Sequence, residues 1–174
     1  MRLAVVLRRF LLLSPLVSLI CFVKYRAHVS PRAEVELGPQ LVLGPGVRVS
    51  SFTKIKVSGP LIIGANAQIA TGCFIGADSG GLEIGEDTLI GPNCTLVTGN
   101  YTYDKLDIPM RLQEYSSKST RIGHNVLIGA GSVILAGSSV GDGVIIGVNS
   151  VVSGTIPDNV VIEGNPAKVI FKRR

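Results

Sequence analysis

Between Ile122 and Ser153 the hydrophobic positions recur every six residues. Ile122, Ile128, Ile134, Val140, Ile146 and Val152 open successive sixes, and glycine follows four of them, at Gly123, Gly129, Gly141 and Gly147. The fourth place holds Asn125, Gly131, Gly137, Gly143, Asn149 and Thr155. The fifth is small or β-branched: Val126, Ser132, Ser138, Val144, Ser150 and Ile156. A period this short, held over six units, marks a solenoid.

Each place has a physical reading. Ile and Val favour extended backbone, so the opener is the inward side chain of a very short strand. Gly and Asn enter left-handed backbone at low cost, so the fourth place is a corner. A corner every six residues winds the chain into a coil. With three sides per turn, residues 18 apart stack: Ile122 under Val140, Ile128 under Ile146, Ile134 under Val152. Stacked parallel strands lie ~4.8 Å apart, so these side chains fill the coil axis while each turn satisfies the backbone groups of the next.

Upstream the six-residue frame is less regular. Val29, Val35, Leu41 and Val47 keep step, and the frame then slips by four before Val57. Ile63, Ile69 and Ile75 restore it, with corners expected at Asn66, Gly72 and Asp78. Residues 78–82 shift it again, and Ile84, Ile90 and Leu96 continue, with corners expected at Asp87, Asn93 and Gly99. The long interruption is Tyr101–Arg121, which has no six-residue period and holds Tyr101, Tyr103, Tyr115 and many charges. An insertion of this length in a rigid solenoid is usually functional.

Composition supports a solenoid with a narrow aliphatic core: 46% hydrophobic residues, 5% aromatic and 21 glycines in 174. The formal charge of +5 is uneven. Residues 1–32 carry six Lys/Arg and no acid, residues 168–174 carry four more basic residues, and residues 33–167 hold seven basic against twelve acidic. The ends are the parts suited to anionic partners. Nucleic acid is not expected, since the body is acidic and no binding motif is present.

Residues 1–28 form a separate apolar, basic segment. Its stretch Phe10–Val23 lies between Arg8/Arg9 and Lys24/Arg26, is shorter than the ~20 apolar residues of a spanning helix, and contains Pro15. Lys24, Tyr25 and Arg26 follow where a signal peptide would have small residues. A membrane-surface anchor is expected, with a helix capping the open end of the coil as the alternative. Cys21, Cys73 and Cys94 have no metal or redox spacing. Cys73 and Cys94 occupy the fifth place and are expected as packed thiols of a reducing compartment.

Residues 63–172 resemble the hexapeptide-repeat acyltransferases, and in particular the branch that acetylates sugar hydroxyls. The resemblance rests on the sixes, on Asn100, Ile108–Pro109–Met110, Gln113 and Ser116–Ser117–Lys118 at matching intervals before Ile122, and on the closing Gly164–Asn165–Pro166–Ala167–Lys168. It implies an all-β fold: a left-handed parallel β-helix over residues 29–174, with a protruding loop at 101–121 and an apolar helix before it. Three positions depart from the family: Tyr101 stands where the family has its catalytic histidine, Leu127 where Trp is common, and His124 where an acid or Asn is common.

What the resemblance implies about function is an acetyl- or acyl-coenzyme A-dependent O-acyltransferase. It would act on a sugar hydroxyl of a cell-envelope polysaccharide or its precursor, as a homotrimer at the cytoplasmic face of the membrane. Attack of a hydroxyl on a thioester needs a base, and a tyrosine phenol is a poorer one than imidazole at neutral pH. Candidate catalytic residues are therefore Asn100, Tyr101, Asp104 and His124, with Glu114 a further carboxylate on the loop. The coenzyme is expected along Ala130 with Gly131, Val148 with Asn149, and Asn165, Pro166, Ala167 and Lys168. Lys172–Arg174 would contact its phosphates. The γ-class carbonic anhydrases share the fold but need three metal-binding histidines. This chain has two, not suitably spaced, and no metal is expected. A catalytically silent scaffold and an N-acyltransferase on an amino sugar remain open.

Overall fold

The computed structural model describes residues 14–174. The chain winds through about seven turns of a three-sided parallel β-helix. Face A contains the strands His28–Val29, Arg48–Val49, Gln68–Ile69, Leu89–Ile90, Leu127–Ile128, Ile145–Ile146 and Val160–Gly164. Faces B and C hold six parallel strands each. The stacking expected from the 18-residue spacing is present: Ile122 pairs with Val140, Ile128 with Ile146 and Ile134 with Val152.

The inward side chains form one continuous column per face. On face A it runs through Val29, Val49, Ile69, Ile90, Ile128, Ile146 and Ile162. Face B stacks Val35, Ile55, Ile75, Leu96, Ile134 and Val152, and face C stacks Leu43, Ile63, Ile84, Ile122, Val140 and Ile156. All are buried. The fifth-place residue points inward as well, which explains why it is small. Where it is polar, it bonds a backbone group of a neighbouring coil: Thr88 Oγ1 donates to Gly123 O at 3.0 Å, Ser132 Oγ to Gly147 O at 3.0 Å, and Ser150 Oγ accepts from Gly164 N at 3.1 Å. Cys73 and Cys94 are free and buried at this place, as expected. The hydrogen bond with Cys73, together with burial, holds the Cys94 thiol well above its ordinary pKa.

These columns correct the upstream frame. The face columns run through Leu43, Val49 and Ile55, where the sixes had placed Leu41, Val47 and Val57. Leu41 and Val47 are buried at the fifth place, whereas Val57 is only half-buried. From face A to face B, and from face C to face A, the step is always six residues, as from Ile128 to Ile134. From face B to face C it varies: Val35 to Leu43 is eight, Ile75 to Ile84 nine, Leu96 to Ile122 twenty-six, and Val152 to Ile156 four.

The corners follow the same division. On the A–B edge Phe52, Gly72, Asn93, Gly131 and Asn149 have positive φ, and on the C–A edge Arg26, Gly46, Asn66, Asp87, Asn125, Gly143 and Asn159 do. Asp78, Gly99 and Thr155, expected as corners, do not have left-handed backbone; the nearby Gly81 and Gly154 do. All three misplaced corners lie on the B–C edge, where turn length is not constant.

Helix Ser14–Tyr25 packs on the first coil. Val17 and Cys21, one turn apart, are buried with the core, and Tyr25 Oη donates to Leu41 O at 2.9 Å. A solenoid end exposes its axis, and this helix covers it. The earlier part of the apolar stretch, with Arg8 and Arg9, lies outside the described residues. At the other end the last face A strand turns at Asn165–Pro166 into an antiparallel strand, Ala167–Lys172.

Candidate active site

The long insertion leaves from the face B strand Thr95–Val97 and returns before the face C strand Thr120–Ile122, so it stands on the B–C edge. It is a β-hairpin arm. Gly99–Tyr101 pairs antiparallel with Tyr115–Ser117, setting Tyr101 opposite Tyr115. Beyond these strands Gln113, buried within the arm, ties its far part together. Its Nε2 donates to Lys105 O at 2.9 Å and its Oε1 accepts from Lys105 N at 3.3 Å.

The base of the arm is fastened to the preceding coil. Ser117 Oγ accepts from Gly80 N at 2.8 Å and donates to Thr98 O at 3.0 Å, and Thr98 Oγ1 accepts from Asp78 N at 2.7 Å. Tyr115 Oη donates to Asp78 Oδ2 at 2.5 Å. That bond, with lesser help from burial, pushes the Tyr115 phenol up to about 12. A Cβ on Gly99 would lie 2.3 Å from Tyr115 Oη, so only glycine lets this ring cross the strand. Tyr101 meets Tyr115 edge-on with ring centroids 5.2 Å apart. Asp78 and Tyr115 thereby orient Tyr101, a role that sequence reasoning missed. The partners are 37 positions apart, and no local pattern links them.

Under the arm lies an open cleft of about 660 Å³, lined by Asn100, Tyr101, Thr102, Tyr103, Asp104, Ser116 and Lys118 from the arm and by Leu135, Ala136 and Ser153 from the coils beside it. Three of the four catalytic candidates, Asn100, Tyr101 and Asp104, come together here. Asn100 turns its Oδ1 back to accept from Tyr101 N at 2.9 Å. Lys118 adds a cation. Its side chain runs over Gly137, where a Cβ would lie 3.0 Å from Lys118 Cδ.

His124 is elsewhere. It sits beside Asn125 on the C–A edge, half exposed, with Nδ1 3.7 Å from Glu86 Oε1 and its backbone N–H donating to Asp142 Oδ1 at 2.8 Å. It does not line the cleft. Glu114 is likewise absent from the lining; its carbonyl accepts from Thr102 N in the arm.

The coenzyme candidates fall on a third location. Ala130 with Gly131 and Val148 with Asn149 are successive turns of the A–B edge, joined by Asn149 N donating to Ala130 O at 2.8 Å. Asn165–Lys168 form the turn leaving face A at the same edge, one coil further on. Eight scattered positions thus make one backbone-lined column. Its distance from the cleft is the width of face B, at most about 20 Å for a six-residue side. Lys172–Arg174 do not join it. The antiparallel strand carries them back to the C–A edge, where Arg173 N donates to Asn159 O at 2.7 Å and its guanidinium donates to Gly143 O. The tail expected to contact the phosphates therefore lies away from the column within the chain, because the strand reverses direction after Pro166.

A family model, the bacterial transferase hexapeptide (six repeats), matches residues 119–154. The chain is 30% identical over 157 residues to the putative lipopolysaccharide biosynthesis O-acetyl transferase WbbJ of Escherichia coli K12, covering 86% of this chain and 78% of that one. It belongs to the hexapeptide-repeat acyltransferases. The galactoside O-acetyltransferase of Escherichia coli K12 is 42% identical over 90 residues, covering 51% of this chain and 43% of its own. The fold superposes on AntD, an N-acyltransferase from Bacillus cereus crystallised as a point mutant with dTDP and coenzyme A. The TM-score is 0.79, at 20% identity over 89% of this chain and 88% of that one. The coil is the left-handed parallel β-helix expected of this family. Among the described residues no group of His, Cys, Asp and Glu is arranged to hold a metal ion.

Proposed function

We propose that this acyltransferase moves an acyl group from acyl-coenzyme A to a sugar hydroxyl. The site would join the arm cleft of one protomer to the A–B column of the next in a homotrimer. One observation carries this reading: the acceptor-like cleft and the backbone column lie on different edges of the same prism, a face apart. A copy rotated about a threefold axis sets one edge against the other. The arm tip supports such packing, since Leu106, Met110 and Leu112 are exposed by 96%, 56% and 58%. The names of the relatives, one for lipopolysaccharide biosynthesis and one for a galactoside, support a saccharide acceptor. The cleft, with its tyrosines, hydroxyls and amide, has the chemistry to bind one.

In the reaction the acceptor oxygen attacks the thioester carbonyl and gives its proton to a base. The C–S bond then breaks, and the coenzyme thiolate leaves and takes up a proton. With His124 outside the cleft, Asp104 is the carboxylate within it and serves as the base, while Tyr101 orients the acceptor hydroxyl. Lys118 would hold an anionic part of either substrate.

Thiol release from acetyl-coenzyme A with a saccharide acceptor tests this assignment. Asp104→Asn should lower kcat by ~10²–10⁴, the usual contribution of a general base. Tyr101→His should raise it, and His124→Ala should match the parent. Full activity in Asp104→Asn with loss in Tyr101→Phe would move the base to the phenol. Binding of acetyl-coenzyme A by calorimetry without turnover on any acceptor would support the scaffold reading. A stable folded monomer by sedimentation would overturn the shared site.

A further inference from the structure

The helix Ser14–Tyr25 does more than close the core. It buries Val17 and Cys21 and turns Leu16, Leu19, Phe22 and Val23 outward, exposed by 42%, 56%, 52% and 72%. Two turns of helix thus present four large apolar side chains at the end of the prism. Phe22 is supported from below by His28, with ring centroids 5.4 Å apart.

The surroundings of this apolar face are basic. Lys24, Arg26, Arg32 and Arg48 are exposed on the helix and the first two coils. The acids of these coils are already engaged: Glu34 is 2.9 Å from Lys54 Nζ, and Glu36 accepts from Val57 N at 3.1 Å. Residues 14–57 hold six basic and two acidic groups, whereas residues 58–167 hold four basic and ten acidic. Residues 168–174 add four basic groups at the other end of the chain, so an acidic body lies between two basic ends, and the first of these carries the apolar helix. No helix among the described residues is long and apolar enough to cross a membrane.

We infer that this end is a docking surface for an anionic lipid membrane. The outer face of the helix enters the headgroup layer, Lys24, Arg26, Arg32 and Arg48 face the lipid phosphates, and the prism stands on the bilayer with its acidic body directed away. A helix that turns large apolar side chains outward and is ringed by Lys and Arg binds in this manner. The repulsion between the acidic body and the same lipids sets the orientation. This inference is independent of the base assignment and of the shared site, because it concerns the opposite end of the chain from the column and does not depend on turnover.

The full chain would be floated with vesicles of phosphatidylcholine, with and without a quarter phosphatidylglycerol. Binding is expected to the anionic vesicles and to weaken at high salt, as charges are screened beyond ~3 Å at 1 M. Leu19→Glu with Phe22→Glu should reduce binding at least tenfold. Both side chains are exposed, so the melting curve should be unchanged. Arg32→Glu with Arg48→Glu should reduce it roughly tenfold or more, since each basic residue near such a surface contributes about fivefold. The basic C-terminal strand is the control, and Lys172→Glu with Arg174→Glu should bind as the parent does. Three results would overturn the inference: helix variants that bind like the parent, loss of binding only in the C-terminal variant, or a change in sedimentation of the helix variants showing that the face is a contact between copies.

Discussion

The A–B and B–C edges of this prism turn the same chain through similar corners, yet one is constant and the other is not. At the A–B edge every step is six residues, and in every coil after the first a single left-handed residue makes the turn. Gly131 N and Asn149 N each donate to a carbonyl of the coil before, at 2.9 and 2.8 Å, so one residue more or fewer would break the stack. At the B–C edge the step ranges from four residues to twenty-six, and the arm is the extreme of a variation already present at residues 36–42 and 76–83. A solenoid can add chain where the neighbouring coil does not hold the corner, because closing a longer loop costs little. The constant edge supplies a regular column of backbone groups, and the variable edge supplies side chains.

The largest expected effect tests the frame on which this comparison rests. Ile146 is buried between Ile128 and Ile162, just before an A–B corner. Ile146→Asp places an unpaired carboxylate in the axis and should cost about 3–5 kcal/mol. Thermal unfolding within a degree or two of the parent would mean that the inward column is misassigned.

Next come insertions. Two glycines after Gly131 should cost about 2–4 kcal/mol through lost interstrand bonds, each worth about 1 kcal/mol. Two glycines after Gly38, in the B–C turn between Val35 and Leu43, should cost under about 1 kcal/mol. Equal losses in chemical denaturation would remove the distinction between the edges. A subtler version uses one methyl group. Gly131 has φ +71°, and a Cβ there would lie 2.3 Å from Asn149 Oδ1, whereas nothing lies within 4 Å of one on Gly38. Gly131→Ala should cost about 1–3 kcal/mol and Gly38→Ala should stay within about 0.5 kcal/mol of the parent.

The smallest effect concerns the fastening of the arm. Tyr115→Phe removes the bond to Asp78 at a half-exposed site and should cost about 1 kcal/mol. The folded phenol titrates near 12 against an ordinary value of 10. Its contribution is therefore complete below pH 10 and is lost as pH rises toward 12. Melting temperature followed across that window should fall more steeply for the parent than for Tyr115→Phe, and parallel curves would refute the Asp78 tether.

Much of the coil was legible in the residues themselves. The inward places from Ile122 to Val152, the left-handed corners at Asn125, Gly131, Gly137, Gly143 and Asn149, and the small buried fifth place all follow from local preferences repeated at a fixed interval. Backbone conformation and side-chain size are properties of single residues, so a periodic sequence displays them directly. Tertiary structure alone decided which of these corners share an edge. It placed Asn100, Tyr101 and Asp104 in one cleft with Lys118 and Ser153, left His124 on another edge, and gathered Ala130, Asn149 and Asn165 into a column. It also turned the final strand so that Arg173 meets Gly143. These outcomes depend on summed turn lengths and on contacts between residues far apart in the chain, such as Asp78 with Tyr115. A shift of two residues in the pairing of one coil gives each of its side chains a new neighbour, and the energy that selects the register is spread over the whole stack rather than written at any one position.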